Sequence, residues 1–192
     1  KKFLHPGPGY GGSCFPKDTL ALVKTAQDFK SPIGLVEHVL KSNEKRKKNI
    51  YKKILKMLPN DKKKKIITIL GLTFKPNTDD MRDSPSLDII PMLIKNNCHI
   101  RVFDPEGMNE AKNYLFKYKD NITYCENAYN ACENSQALVI LTEWNQFRAL
   151  DLEKLKEVLV EPIIIDLRNI YNPKEIQDKG FKYYSIGRQN SD

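Results

Sequence analysis

Ile66-Ile67-Thr68-Ile69-Leu70, followed by Gly71, decides the architecture. The run is short, apolar and rich in β-branched side chains, and it follows a basic stretch that ends at Lys65. Such a run reads as a strand buried on both faces, not as an alternating strand with one wet face. Similar runs recur at Ile100–Phe103, Ile122–Tyr124, Ala137–Leu141, Ile163–Ile165 and Tyr183–Ile186. Helical patterns separate them, near Ser86–Asn96, Met108–Lys117, Ala128–Cys132, Leu152–Val158 and Pro173–Lys179. Strands alternating with helices predict an α/β domain over residues 65–192: an open, mainly parallel, Rossmann-like sheet covered by helices.

Upstream the pattern changes. Pro6, Gly7, Pro8, Gly9, Gly11, Gly12 and Pro16 make residues 1–17 a loop. Asp18–Asp28 reads as a helix, with Pro16 suited to its entry and an apolar face at Leu20, Ala21, Leu22 and Val23. Ser31-Pro32 breaks it, and a long central helix follows from Ile33 to Leu58. Leu35, Val39, Ile50, Ile54, Leu55 and Leu58 recur there at helical spacing, with lysines and arginines assigned to the other face. Residues 1–60 are therefore a helical arm. Its apolar face is wider than a short α/β domain can cover, which predicts a dimerisation element.

Composition narrows the function classes. The 192 residues are 40% hydrophobic and 29% charged, a mix that builds a core and not a disordered chain. No apolar run approaches the roughly 20 residues needed to cross a bilayer. Lys1-Lys2 is not followed by the apolar stretch of a signal peptide. The start lacks Met and opens onto a loop, as a piece of a longer protein would. The net charge of +8 comes mostly from Lys41–Lys65, including Lys45-Arg46-Lys47-Lys48 and Lys62-Lys63-Lys64-Lys65. A basic excess can serve nucleic acid, an anionic membrane or a phosphorylated small molecule. This run has no interleaved aromatics and matches no nucleic-acid motif, so it reads as a solvated helix face and a basic loop. Neither a nucleic-acid nor a membrane partner is expected. Cys14, Cys98, Cys125 and Cys132 form no C-x-x-C pair, and His5, His38 and His99 are scattered. No metal site is expected, and a reducing cytoplasm is the default setting. Cys98, Cys125 and Cys132 sit among apolar residues and read as core fillers.

Gly7-Pro8-Gly9-Tyr10-Gly11-Gly12 contains G-x-G-x-x-G, but no strand precedes it and prolines flank its first glycine. A dinucleotide fingerprint needs that strand and an acidic residue about 20 positions on. The alternative is a loop whose glycines let the backbone approach a ligand closely. Cys14 ends this loop at the helix start, where partial positive charge favours sulfur as an anion. Lys17 and Asp18 follow at once. A nucleophile, a cation and a carboxylate within five residues suit covalent catalysis on a carbonyl. The alternative is a buried, helix-capping Cys14 beside ordinary surface charges.

The stretch Gly9-Tyr10-Gly11-Gly12-Ser13-Cys14-Phe15-Pro16-Lys17-Asp18 resembles the active-site loop of UDP-glucose 6-dehydrogenases, in the UDP-glucose/GDP-mannose dehydrogenase family. The stretch from Leu70-Gly71-Leu72-Thr73-Phe74-Lys75-Pro76 through Arg82 to Pro85 resembles the entry to that family's C-terminal UDP-binding domain. Asp166-Leu167-Arg168-Asn169 is a weaker third match, and together the blocks span the chain in order. Ser13 stands where the N-acetylhexosamine branch has a His, which favours UDP-glucose. A related UDP-sugar or GDP-mannose dehydrogenase is the nearest alternative.

The resemblance implies oxidation of UDP-glucose to UDP-glucuronate with two NAD. Cys14 would be the nucleophile, passing through a thiohemiacetal and a thioester, and Asp18 would orient or activate water. His5, Pro6, Gly7, Pro8, Gly9, Tyr10 and Gly11 would line the sugar. Phe74, Lys75 and Arg168 would meet the UDP-sugar, and Lys17 and Arg82 would approach NAD. From the residues alone, the favoured reading of Arg82 and Arg168 is ordinary loop arginines paired with Asp79, Asp80 or Asp166. Asn43 resembles a family position without an assigned role. The family's N-terminal NAD-binding half has no counterpart in these residues. They would then be the substrate half, inactive alone, dimerising through the long helix. A non-catalytic UDP-binding or oligomerisation module is the reading from a different class, disfavoured by the intact Cys14, Lys17, Asp18, Lys75 and Arg82.

Overall fold

The computed structural model describes residues 4–60 and 64–188; the Lys1-Lys2 start and Lys62-Lys63 of the basic run lie outside them. Two helices come first, α1 (Phe15–Asp28) and α2 (Gly34–Met57). Six strands follow: β1 (Lys65–Leu70), β2 (Cys98–Phe103), β3 (Ile122–Tyr124), β4 (Ala137–Ile140), β5 (Ile163–Asp166) and β6 (Lys182–Ser185). Between them lie α3 (Ser86–Lys95), α4 (Met108–Tyr114), α5 (Ala128–Cys132), α6 (Asn145–Arg148), α7 (Leu152–Val158) and α8 (Pro173–Asp178).

All neighbouring strands are parallel, in the order β3-β2-β1-β4-β5-β6. This is the doubly wound Rossmann order, whose direction of winding reverses between β1 and β4. Open sheets of this kind bind ligands outside the carboxyl ends of the strands at that reversal. β4 and β5 are buried along their whole length, as continuous apolar runs require when helices cover both faces. On one face Ile67, Ile69, Ile100 and Val102 pack under Ile89, Ile90 and Leu93 of α3 and Ile50 and Ile54 of α2. On the other, Leu138, Ile140 and Ile164 pack under Ala131, Cys132, Phe147, Leu155 and Ile176. Cys98, Cys125 and Cys132 are buried in these layers.

The long helix serves two regions. Its second half supplies Ile50 and Ile54, with Leu58 just beyond, to the sheet's core. In its first half Leu35 is 81% exposed and Val39 is exposed, as are Leu20 and Leu22 of α1 and Phe29 at the end of α1. One assignment is overturned: Lys47, placed with the lysines of the wet face, is buried together with Asn43, Ile50 and Ile54. The spacing 43, 47, 50, 54 is a single helical stripe, so geometry and not side-chain type decides which way Lys47 points. Two local differences have simple causes. The helix expected from Met108 to Lys117 ends at Tyr114 and tightens into a 3-10 helix, Phe116–Asn121. The short α6 was not anticipated, because four residues cannot display a helical period.

Candidate active site

The site is assembled from two loops at the carboxyl edge of the sheet. The first, residues 71–85, leaves β1 at the reversal point. Side chains from neighbouring strand ends suspend it. Asp104, just past β2 and 1% exposed, accepts the backbone N–H of Leu72 and Thr73, the Thr73 hydroxyl and the Trp144 indole N–H through Oδ2. Its Oδ1 accepts the N–H of Glu106 and Gly107. Thr142, just past β4, donates to the Thr73 carbonyl at 2.6 Å. The Ser84 and Ser86 hydroxyls both donate to the Leu72 carbonyl at 2.6 Å. The loop is therefore built from satisfied buried polar groups, which fix one conformation. It presents Phe74, half-buried, and Lys75, exposed, with the ammonium 5.3 Å from the Phe74 ring centroid.

The second loop, residues 5–14, lies against the first. The Gly12 N–H donates to the Arg82 carbonyl at 2.8 Å. At Gly11 any Cβ would collide with the Asp83 carbonyl, and at Gly12 it would stand 2.7 Å from the Phe74 ring, with φ at +90°. Only glycine meets both demands. The glycines thus serve close approach, as expected, but what they approach is the other loop. From the far side α2 holds this segment. Asn43 accepts the Tyr10 N–H at 2.9 Å and donates back to the Tyr10 carbonyl at 3.2 Å, and Arg46 donates to the Gly7 carbonyl. Lys47 underlies Gly9. Tyr10 meets Phe15 edge to face, its ring centroid 4.7 Å away. His5 and Pro6 are exposed, Gly7, Gly9, Tyr10 and Gly11 are half-buried, and Pro8 is buried.

Cys14 is exposed and immediately precedes α1, its thiol 3.6 Å from the Ser13 hydroxyl. Lys17 and Asp18 stand one turn on, both exposed and 3.6 Å apart. Positions i, i+3 and i+4 share a helix face, so the three side chains project together. The buried-cap alternative for Cys14 does not hold. The remaining thiols differ: burial pushes Cys98 up to about 11 and Cys132 up to about 12, and raises Cys125.

The two arginines are oriented by carboxylates. Arg82 grips Asp80 with Nε and Nη2, and those hydrogen bonds hold the Asp80 carboxyl below its ordinary range. A surface hollow lined by Asp79, Asp80, Met81, Arg82, Glu110 and Tyr114 opens beside this pair. Arg168 follows β5. Its backbone N–H is taken by Asp166, but its guanidinium pairs with Glu143 at 2.5 Å, a partner absent from the sequence-based candidates. The Nη1 edge of Arg168 lies against Gly7, which brings the third motif to the cysteine loop. Asp104, Thr142, Glu143, Arg46 and Lys47 were all missed. Asp166 carries a recognisable signal, a lone acid closing the apolar run of β5, whereas β2, with His99 and Arg101, gives Asp104 no such mark. Among the described residues, no group of three His, Cys, Asp or Glu could hold a metal ion, and no helix is long and apolar enough to cross a membrane.

Comparison with known proteins gives a consistent set. Residues 68–173, more than half of the chain, match the UDP-binding domain of the UDP-glucose/GDP-mannose dehydrogenase family, and residues 1–45 match that family's central domain. A UDP-glucose 6-dehydrogenase of Rhizobium meliloti is 49% identical over 97% of the chain, which spans 42% of that relative. One from Bacillus subtilis is 43% identical over 98% of the chain and 40% of its own length. Among solved structures, an NDP-N-acetyl-D-galactosaminuronic acid dehydrogenase from Methanosarcina mazei superposes with a TM-score of 0.82 at 26% identity, over 97% of this chain and 40% of that one. A UDP-glucose dehydrogenase from Pyrobaculum islandicum gives 0.75 at 28% identity, over 95% and 39%. The chain thus spans about two fifths of the relatives it matches.

Proposed function

Because the chain belongs to the UDP-glucose/GDP-mannose dehydrogenase family, we propose that it is the substrate-binding, nucleophile-bearing part of a UDP-glucose 6-dehydrogenase. The observation that carries this reading is the docking of the cysteine loop onto the loop after β1, through Gly12 to the Arg82 carbonyl and the Phe74 ring. It sets an exposed thiol beside the place where a doubly wound sheet takes a nucleotide. Relatives named as UDP-glucose 6-dehydrogenases at 49% and 43% identity favour glucose as the sugar.

Each residue then has a task. Lys75 and Arg168 pair with the diphosphate, for which charge-assisted donors are suited. Glu143 holds Arg168 in place. Residues of the 5–11 loop face the sugar. At the aldehyde stage Cys14 sulfur adds to the carbonyl carbon, the C–S bond forms, and the oxygen takes a proton to give a thiohemiacetal. Loss of hydride from that carbon, together with the hydroxyl proton, would leave a thioester, which water attacks; the C–S bond breaks, the acid is released and the thiolate is regenerated. Asp18 orients that water or takes its proton.

NAD would supply the oxidation, as the hydride acceptor. This chain's own sheet does not fit it. The turn after β1 lacks the glycine fingerprint, and Asp104, at the ribose-binding position of such folds, is buried and occupied by backbone N–H groups. A separate NAD-binding half therefore holds it, with Lys17 and Arg82 facing that half. A cytoplasmic setting accords with four cysteines that are all free. The test is calorimetric titration with UDP. We expect binding that weakens about tenfold or more in Lys75→Ala, the loss of one charge-assisted contact. The 192 residues alone should give no NADH from UDP-glucose and NAD. Absence of UDP binding overturns the reading, and robust turnover overturns its division of labour.

We further propose a homodimer through the first half of α2, supported by the exposed Leu20, Leu22, Phe29, Leu35 and Val39. Sedimentation should show a concentration-dependent dimer that Leu35→Asp combined with Val39→Asp converts to monomer. A wild-type chain monomeric at every concentration refutes it.

A further inference from the structure

We propose that Lys47 is a positioning residue that sets the register of the cysteine loop over the UDP-binding loop; the inference rests on the function proposed above. Lys47 stands mid-helix in α2 with its side chain only 5% exposed. Its ammonium lies 3.0 Å from Glu44 and 3.1 Å from Asp88. Taking an ammonium out of water is costly before pairing, and an apolar side chain fills such a place with less penalty. Burial works against the charge, yet the two carboxylates hold the ammonium above its ordinary range, so it stays a cation.

The placement explains the charge. The Cγ of Lys47 is 2.7 Å from where a Gly9 Cβ would stand, so Gly9 rests on the lysine stem. One turn earlier Asn43 binds both polar backbone groups of Tyr10. The tip of Lys47 reaches Asp88 in the first turn of α3. That turn begins at Ser86, whose hydroxyl holds the Leu72 carbonyl of the UDP-binding loop. One side chain therefore touches the cysteine loop with its stem and the UDP-binding domain with its tip. A methionine would pack as well, but it would slide along α3; a hydrogen-bonded ion pair fixes one register.

The test measures how fast iodoacetamide modifies Cys14 with UDP or UDP-glucose bound. In the wild-type chain UDP-glucose should protect Cys14 and UDP should not, because only the sugar reaches the thiol. With ligand near ten times its Kd, protection is roughly tenfold. Lys47→Met should keep UDP affinity within about twofold, as expected of sites sharing no partner, and lose the protection. Lys47→Arg should restore it. Asp88→Ala is the second variant: Glu44 still neutralises Lys47, so only the tie to α3 is cut, and protection should again be lost. Full protection in both Lys47→Met and Asp88→Ala overturns the inference. So does loss of UDP binding together with protection, which marks a merely structural lysine. If UDP-glucose fails to protect the wild-type chain while UDP binds, the catalytic reading of Cys14 falls and the inference with it.

Discussion

Replacing Asp104 with Ala should destabilise the chain by about 4 kcal/mol or more, because several buried donors lose their acceptor at roughly 1–3 kcal/mol each. The donors are the N–H groups of Leu72, Thr73 and Gly107, with Glu106, the Thr73 hydroxyl and the Trp144 indole around them. Most of these groups are sealed from solvent, so water can replace only part of the loss. For a domain of this size that corresponds to a fall in Tm of roughly 8–16 °C. Asp104→Asn sharpens the test. The two carboxylate oxygens serve different donor sets, Oδ2 toward the β1 loop and Trp144, Oδ1 toward Glu106 and Gly107. An amide has one acceptor oxygen, and its NH2 would confront donors on the other side. Asp104→Asn should therefore lose most of what Asp104→Ala loses, despite its equal size. Thermal and urea unfolding of both variants measure this; an Asn variant as stable as wild type would refute the two-sided account.

Asp104 also shows where sequence reading stops. The strands, the main helices and the parallel sheet are legible because β-branched runs and helical spacing reflect burial, which a linear pattern records directly. The glycine loop is legible as a place of close approach, since a residue without a Cβ is what such an approach needs. What they approach is not. Asp104 is one of many acids in the sequence until strand order puts its carboxylate beneath the loop after β1. Glu143 becomes the partner of Arg168 only once β4 and β5 are neighbours. Lys47 is the instructive failure. Its stripe of Asn43, Ile50 and Ile54 was readable from spacing, but its side-chain type and its lysine neighbours argued for the solvent face. Pairing with Glu44 and Asp88 reverses that preference, and Asp88 lies far along the chain.

Alkylation should single out Cys14. In the native chain at pH 8 iodoacetamide should add one adduct, at Cys14, and denaturant should open the remaining three of the four cysteines. Two causes act in the same direction. Cys98, Cys125 and Cys132 are buried, and burial raises their thiols, Cys98 to about 11 and Cys132 to about 12. A thiol near 11 is about one part in a thousand thiolate at pH 8, and the thiolate is the reacting form. Cys14→Ala should therefore slow native labelling by about 100-fold or more. The same variant, supplied with an NAD-binding half, should fail to form the carboxylate product, with a loss on the order of 10⁴ or greater as when a covalent nucleophile is removed. Cys14→Ser separates nucleophile from shape. A hydroxyl preserves the packing beside Ser13 but is far less nucleophilic at neutral pH, so acid formation should stay suppressed while UDP affinity is unchanged. Mass spectrometry of the labelled chain and product analysis read the two effects separately. Labelling that reaches Cys98 or Cys132 first would contradict the burial argument, whereas acid formation by Cys14→Ala would leave the packing intact and remove the nucleophile from its proposed role.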